Sequence, residues 1–284
     1  LTLYSYYFYP LVLFFIAGRQ GAFLQLIHEA SHNLISNNKR LNHFFGQWLT
    51  SFLIGVNFQG YKSGHLQHHT HTATEKEPKS DADKYAIVDF KDPKIYFLFL
   101  KDLSGISALR IFFNYGNDLK VKKESNLISK IFNFSKISFV QIIILALFNF
   151  DILFYILFWI YPAVGAHMFL MRIRGIAEHG LGKQLGLKIK NTSEGAYYTR
   201  SFLTSANKYT FSPFTLIEKL LIGSFYVNYH HEHHLNAKIP YYNLKKFHVM
   251  VKDNISQHLK APIYERGYFS AAFRTVLVPK EELL

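Results

Sequence analysis

The sequence predicts an all-α integral membrane protein whose transmembrane helices carry a helical cytosolic cap. Three observations lead there. Apolar residues make up 49% of the chain, with 28 Phe and 19 Tyr, and they fall in blocks with no globular period. From Ile137 to Met171 there is no Lys or Arg, and Asp151 is the one charged residue. Finally, the octapeptide NYHHEHHL, residues 228–235, holds four histidines, more than packing alone calls for.

The first apolar block runs from Leu1 to Ala17 and resumes at Ala22–Ile27 after Gly18-Arg19-Gln20. It predicts one long membrane helix over 3–33. Arg19 within it is costly in hydrocarbon and is expected to serve structure or a lipid headgroup. Leu1 is not an initiator Met and nothing resembles a charged signal-peptide n-region, which leaves room for a span upstream. Residues 34–130 are expected on the cytosolic side. Within them 44–58 is apolar but short for a span and carries Gly46, Gln47 and Gly55, so a re-entrant or interfacial helix pair fits. A second interfacial pair is expected over 95–113, divided at Gly105, while Glu75–Lys84 and Asn114–Ser129 read as charged surface.

The block from Ile137 to Met171 would be about 52 Å long as one helix, at a rise of about 1.5 Å per residue, against a hydrocarbon core of roughly 30 Å. It must turn back. Asn149-Phe150-Asp151 supplies the turn, giving spans over 131–149 and 152–174, with Arg172 and Arg174 marking the cytoplasmic interface. Residues 175–284 then read as a cytosolic lobe of short helices punctuated by Pro213, Gly223 and Pro240. The whole chain, 1–284, is expected to form a single membrane domain.

The net charge is +13, and none of the 32 Lys and Arg lies in 1–18 or 137–171. Such a distribution is that of a cytoplasmic membrane face with affinity for anionic membrane lipids, and no nucleic-acid partner is expected. With no Cys in the chain, disulfides and thiolate ligands are excluded, so any metal is held by nitrogen and oxygen.

The histidines fall in sets. His28 and His32 are spaced i, i+4; His65, His68 and His69 are spaced i, i+3, i+4; His230, His233 and His234 repeat that second spacing. On a helix each set shares one face. Eight imidazoles far exceed the needs of one tetrahedral zinc, so two metal ions are the natural arithmetic and the cap carries a histidine-rich dimetal site. His179 follows the last predicted span in RGIAEHG (174–180) and is a ninth candidate. His231 and His71 lie off the shared faces and are expected beside the site, whereas His43, His167, His248 and His258 read as packing histidines.

HEASH (28–32), GHLQHH (64–69) and HHEHH (230–234) resemble the three histidine boxes of the membrane-bound fatty acid desaturase and hydroxylase superfamily. GRQGAFLQLIHEASH, HTHTATEKEP, RIRGIAEHG and IPYYNLKKFH follow in the order of its bacterial acyl-chain desaturase-like members. The resemblance covers roughly 10–250. It implies a di-iron centre at the cytoplasmic membrane surface, ligated by His28, His32, His65, His68, His69, His179, His230, His233 and His234, which are then also the catalytic set. Two departures stand at the third box: Asn236-Ala237-Lys238 replaces the aromatic-proline pair common in relatives, and the His231-Glu232 pair fills the box's variable positions.

Iron suits such a site because it changes oxidation state and activates dioxygen, which zinc does not. Two iron ions with O2 as co-substrate would oxidise an unactivated C–H bond of a lipid acyl chain, most simply to a cis double bond; a lipid or hydrocarbon hydroxylase on the same scaffold is the alternative. A membrane zinc hydrolase needs about three protein ligands and would leave most box histidines idle. A zinc transporter would place ionisable groups at mid-membrane. Glu29, Glu178 and Glu232 each adjoin a proposed ligand, and a neighbour on a helix points about 100° away, so they and His231 are expected to orient imidazoles more readily than to bind metal. No haem-attachment motif, dinucleotide fingerprint or cysteine cluster is present, so electrons are expected from a separate ferredoxin or b-type cytochrome. A bacterial inner membrane, with the site facing the cytoplasm, is the expected location.

Overall fold

The computed structural model describes residues 3–72, 77–78, 92–110, 127–180, 213–258 and 267–277. Among the described residues every regular element is a helix. They divide between two compact units, one of Leu1–Leu66 with Lys101–Phe169 and one of Gln67–Leu100 with Leu170–Leu284. Much of the expected surface over 75–84 and 114–129, and residues 181–212 of the expected lobe, lie outside the described residues.

In the first unit α1 spans Leu3–Ser31 and ends where Asn33 takes a left-handed backbone (φ 61°). α2 spans Lys39–Gly46, begun by the Asn38 side chain, which accepts from the N–H groups of Arg40 and Leu41. A wide turn over Gln47–Ser51 and a tight one over Phe52–Ile54 prolong it to Gly55, whose φ of 72° ends the run. The helical stretch near 44–58 therefore starts at the Asn38 cap, earlier than its apolar residues indicate. Gly46 is the close-approach point, because a Cβ there would come within 2.5 Å of Phe58 and 2.7 Å of Ala30. Around it Ile27, Ala30 and Phe58 form a buried cluster with Leu24, Ile35, Ile54 and Tyr61 packed against it.

A helix end buried among apolar side chains leaves carbonyls in need of partners. Here Gln141 Nε2 donates to the carbonyls of Phe52 (2.7 Å) and Leu53 (3.0 Å), and Trp159 Nε1 donates to that of Leu53 at 3.1 Å. Gln141 belongs to the helix Leu127–Leu147 and Trp159 to the long helix Ile152–His179. Phe52, Val140 and Ile144 make a second buried cluster at this junction.

α3 spans Phe58–His71 and α4 spans Lys94–Leu103; residues 106–110 are helical again beyond Gly105, whose φ is 81°. Residues 111–113 of the second expected pair lie outside the described residues. α5, Leu127–Leu147, turns back through Asn149 and Phe150, both left-handed (φ 51° and 59°). Asp151 then accepts from Phe154 N and starts the next helix. The expected hairpin turn thus falls where Asn149-Phe150-Asp151 predicts it.

The helix after that turn, α6, extends over Ile152–His179, past the end expected near 174. Wide turns over Ile156–Ile160, Pro162–Ala166 and Ile176–Gly180 interrupt its regular winding. Pro162 has no N–H to give and starts the second of these. His179 is carried on the last wide turn and so belongs to the helix, where the sequence places it just after the span.

In the second unit α7 spans Pro213–Leu221, α8 His230–Leu235, α9 Tyr241–His258 and α10 Tyr268–Leu277. α10 packs on the wide turn Ile176–Gly180, and α8 packs on α9.

Candidate metal centre

Four side chains of the second unit meet in a buried pocket. His68 comes from α3, His179 from the end of α6, and His230 and His234 lie one helical turn apart on α8. Their ligand-capable nitrogens all lie within 4.8 Å of one another, and all four residues are buried. His230 Nε2 is 3.0 Å from His179 Nε2 and 3.0 Å from His234 Nε2. The His68 ring stands 4.9 Å from that of His179 and 5.2 Å from that of His234, nearly perpendicular to both.

Hydrogen bonding alone does not satisfy this arrangement. A ring nitrogen donates or accepts once along its axis, so His230 Nε2 can answer one of its two partners but not both. A cation held between the rings answers all of them. Burial, reinforced by the neighbouring His179 and Arg174, pushes His230 well below the ordinary histidine range. Burial also pushes His234 down, with His69 and His230 adding to it. Both rings are therefore neutral and offer lone pairs, the state a metal requires. The residues present fit a transition-metal ion with imidazole ligands.

The remaining box histidines are also paired. In the first unit His32 Nε2 is 2.8 Å from His65 Nε2, and the His28 ring lies 4.4 Å from that of His65 and 5.1 Å from that of His32. In the second unit His69 Nε2 is 3.0 Å from His233 Nε2.

The model of the fatty acid desaturase family matches residues 4–266. The chain belongs to the fatty acid desaturase family. Membership makes it an oxidoreductase and bears out the resemblance carried by the three boxes. A dihydrorhizobitoxine desaturase from Bradyrhizobium elkanii is 22% identical over 255 residues, which cover 85% of this chain and 67% of that protein. No solved structure matches the chain.

In this desaturase-family chain the carboxylates beside the boxes have distinct partners. Glu29 Oε1 lies 3.4 Å from His28 Nδ1, which Gln25 Nε2 also approaches at 3.2 Å. Glu178 Oε1 accepts from Arg174 Nε at 2.8 Å and from the Tyr268 hydroxyl at 3.2 Å, while its Oε2 lies 3.4 Å from His230 Nε2. Glu232 Oε1 lies 2.6 Å from His248 Nδ1. His231 is buried within α8. Glu77 falls in the stretch read as charged surface, yet it is buried, with its Oε1 2.8 Å from Nδ1 of the buried His68. A carboxylate behind a metal-binding imidazole fixes its tautomer and orientation. No helical spacing links Glu77 to His68, because Glu77 lies beyond the end of α3.

Of the expected packing histidines, His43 lies against the Phe58 ring at 5.3 Å. His167 is buried where α1 comes close at Gly21. The side chain of His258 lies outside the described residues.

Proposed function

We propose that this protein is a membrane-embedded desaturase that oxidises two neighbouring methylenes of a lipid acyl chain to a cis double bond at a histidine-held di-iron centre. The convergence of His68, His179, His230 and His234 carries the proposal. One iron takes these four imidazoles. For the second iron the candidates are the remaining box histidines, His28, His32, His65, His69 and His233, an expectation that rests on the sequence resemblance of the three boxes alone.

Iron, when bound, supplies the one-electron and dioxygen chemistry. In the overall balance, two C–H bonds of the acyl chain break and one C=C forms. The two hydrogens, two further protons and two electrons from an external donor reduce O2 to two waters. The protein's own residues present neutral lone pairs; Glu77 behind His68 Nδ1 holds that ring, and the Glu178 carboxylate stands beside Nε2 of His230, on the side that faces the other rings. Electrons reach the site from a ferredoxin or b-type cytochrome docked on the basic face.

Two helices, Tyr7–Ser31 and Ile152–His179, are long and apolar enough to cross a membrane. Tyr7, Phe8, Leu11 and Phe15 on the first, and Phe139, Ile142 and Ile143 on α5, are exposed, as side chains facing hydrocarbon would be. The absence of Lys and Arg from 1–18 and 137–171 supports a site on the cytoplasmic side of a bacterial inner membrane. The relative's name, that of a desaturase, favours an alkene over an alcohol.

The test is expression in a host without desaturases, with lipid analysis by mass spectrometry and metal analysis of the purified protein. Acyl chains lighter by two hydrogens, together with bound iron, are expected. A hydroxylated product would move the assignment to a hydroxylase, and one zinc without redox activity would overturn it.

A further inference from the structure

The family match ends at residue 266, and α10 begins just beyond it at Tyr268, whose side chain is wholly buried. Three features fix that residue. The backbone N–H groups of Tyr268 and Phe269 donate to Glu218 Oε2 and Oε1, each at 3.1 Å, so a carboxylate from α7 caps the first turn of α10, where open N–H groups and the helix dipole favour negative charge. Residue 267 is glycine, and a Cβ there would collide with the Glu218 carboxylate. The helix then packs on the wide turn that carries Glu178 and His179.

The outcome is a chain of contacts leading to the pocket. Tyr268 and Arg174 both donate to Glu178 Oε1, and Glu178 Oε2 lies 3.4 Å from His230 Nε2, the nitrogen that also faces His179 and His234. One carboxylate oxygen is tethered and the other is turned toward the histidines. We infer that Tyr268 is a positioning residue for the metal centre, its hydroxyl holding Glu178 so that Oε2 stays directed at His230. This rests on the iron reading above, and it makes α10, outside the family match, part of the machinery in this chain.

The test uses the full chain in lipid nanodiscs without oxygen, with Fe(II) alone as the probe and its affinity read by competition with a chromogenic chelator. Tyr268→Phe keeps the ring and removes the hydroxyl. It is expected to weaken Fe(II) binding about tenfold, the scale of losing a group that orients a side chain next to the metal position. Glu178→Gln is expected to weaken it at least as much. The double variant should bind no more weakly than Glu178→Gln alone, because the tyrosine acts through the carboxylate. Glu218→Gln, which slackens the cap at the Tyr268 and Phe269 backbone without altering the Tyr268 side chain, should shift affinity the same way by less, and Tyr242→Phe on the exposed face of α9 should change nothing.

Wild-type affinity in Tyr268→Phe, or losses that add in full in the double variant, would overturn the inference while leaving the iron reading intact. If Tyr268→Phe aggregates, Glu218→Gln decides by the same comparison with and without Glu178→Gln. Wild-type protein that takes up no Fe(II) would overturn both readings.

Discussion

Glu232 Oε1 lies 2.6 Å from His248 Nδ1, with both side chains buried. The contact joins the third box on α8 to α9 and gives a buried carboxylate a ring N–H donor. His248 reads as a packing histidine in sequence, and in the structure it is buried with its ring against the Glu232 carboxylate. His248→Ala is expected to lower stability by about 1–3 kcal/mol, the cost of taking a donor from a buried acceptor. Thermal unfolding followed by circular dichroism checks this, and a melting temperature equal to wild type would contradict it.

Glu77→Gln should leave the fold intact and weaken metal binding. The amide retains an oxygen acceptor for the His68 ring N–H, but it loses the charge that raises the basicity of that ligand. A drop of about tenfold in metal affinity is expected. Chelator competition on purified protein measures it.

His68→Ala and His233→Ala should each abolish turnover and lower iron per chain, whereas His43→Ala, at a ring packed on Phe58, should do neither. Metal analysis alongside product analysis separates the cases. Equal tolerance at all three positions would refute the ligand assignment.

Acidification should act on the pocket through His230 and His234. Both are held below the ordinary histidine range, first by burial. The unfolded chain therefore takes up protons at these positions, from about pH 6.5 downward, before the folded protein does. Their contribution is complete above that pH and is lost as pH falls through the depressed folded values. Metal should accordingly persist somewhat below pH 6.5 and leave at lower pH. Loss already at neutral pH, read by metal content after dialysis, would count against buried neutral ligands.

Gly46→Ala should destabilise the first unit by about 1–3 kcal/mol, the usual cost of overpacking. The new methyl would meet Phe58 and Ala30 at distances no relaxed contact allows. Its melting temperature, set against that of an alanine replacement at exposed Phe45, isolates the effect.

Much of this was legible in the chain itself. Box spacing follows from helical period, so the shared face of His230 and His234 on α8 could be read directly. The hairpin turn was legible because Asn tolerates a left-handed backbone and Asp caps the following helix. What escaped lacks any period. Glu77, His248 and Tyr268 reach their partners through tertiary packing from a different element, and no spacing rule connects residues 68 and 77 or 178 and 268. The end of α6 escaped for another reason: hydropathy falls at Arg172, but the backbone continues helically to His179.

The wide turns of that last helix have a consequence for length. Each holds a residue more than a regular turn, so the azimuth of His179 depends on how many residues lie between it and Trp159, as well as on which they are. Deleting Ala177 would leave Arg174 and Glu178 three residues apart in place of four and turn the wide turn into a regular one, disturbing their ion pair while removing no ligand. Insertions and deletions in this stretch should therefore be tolerated less well than substitutions.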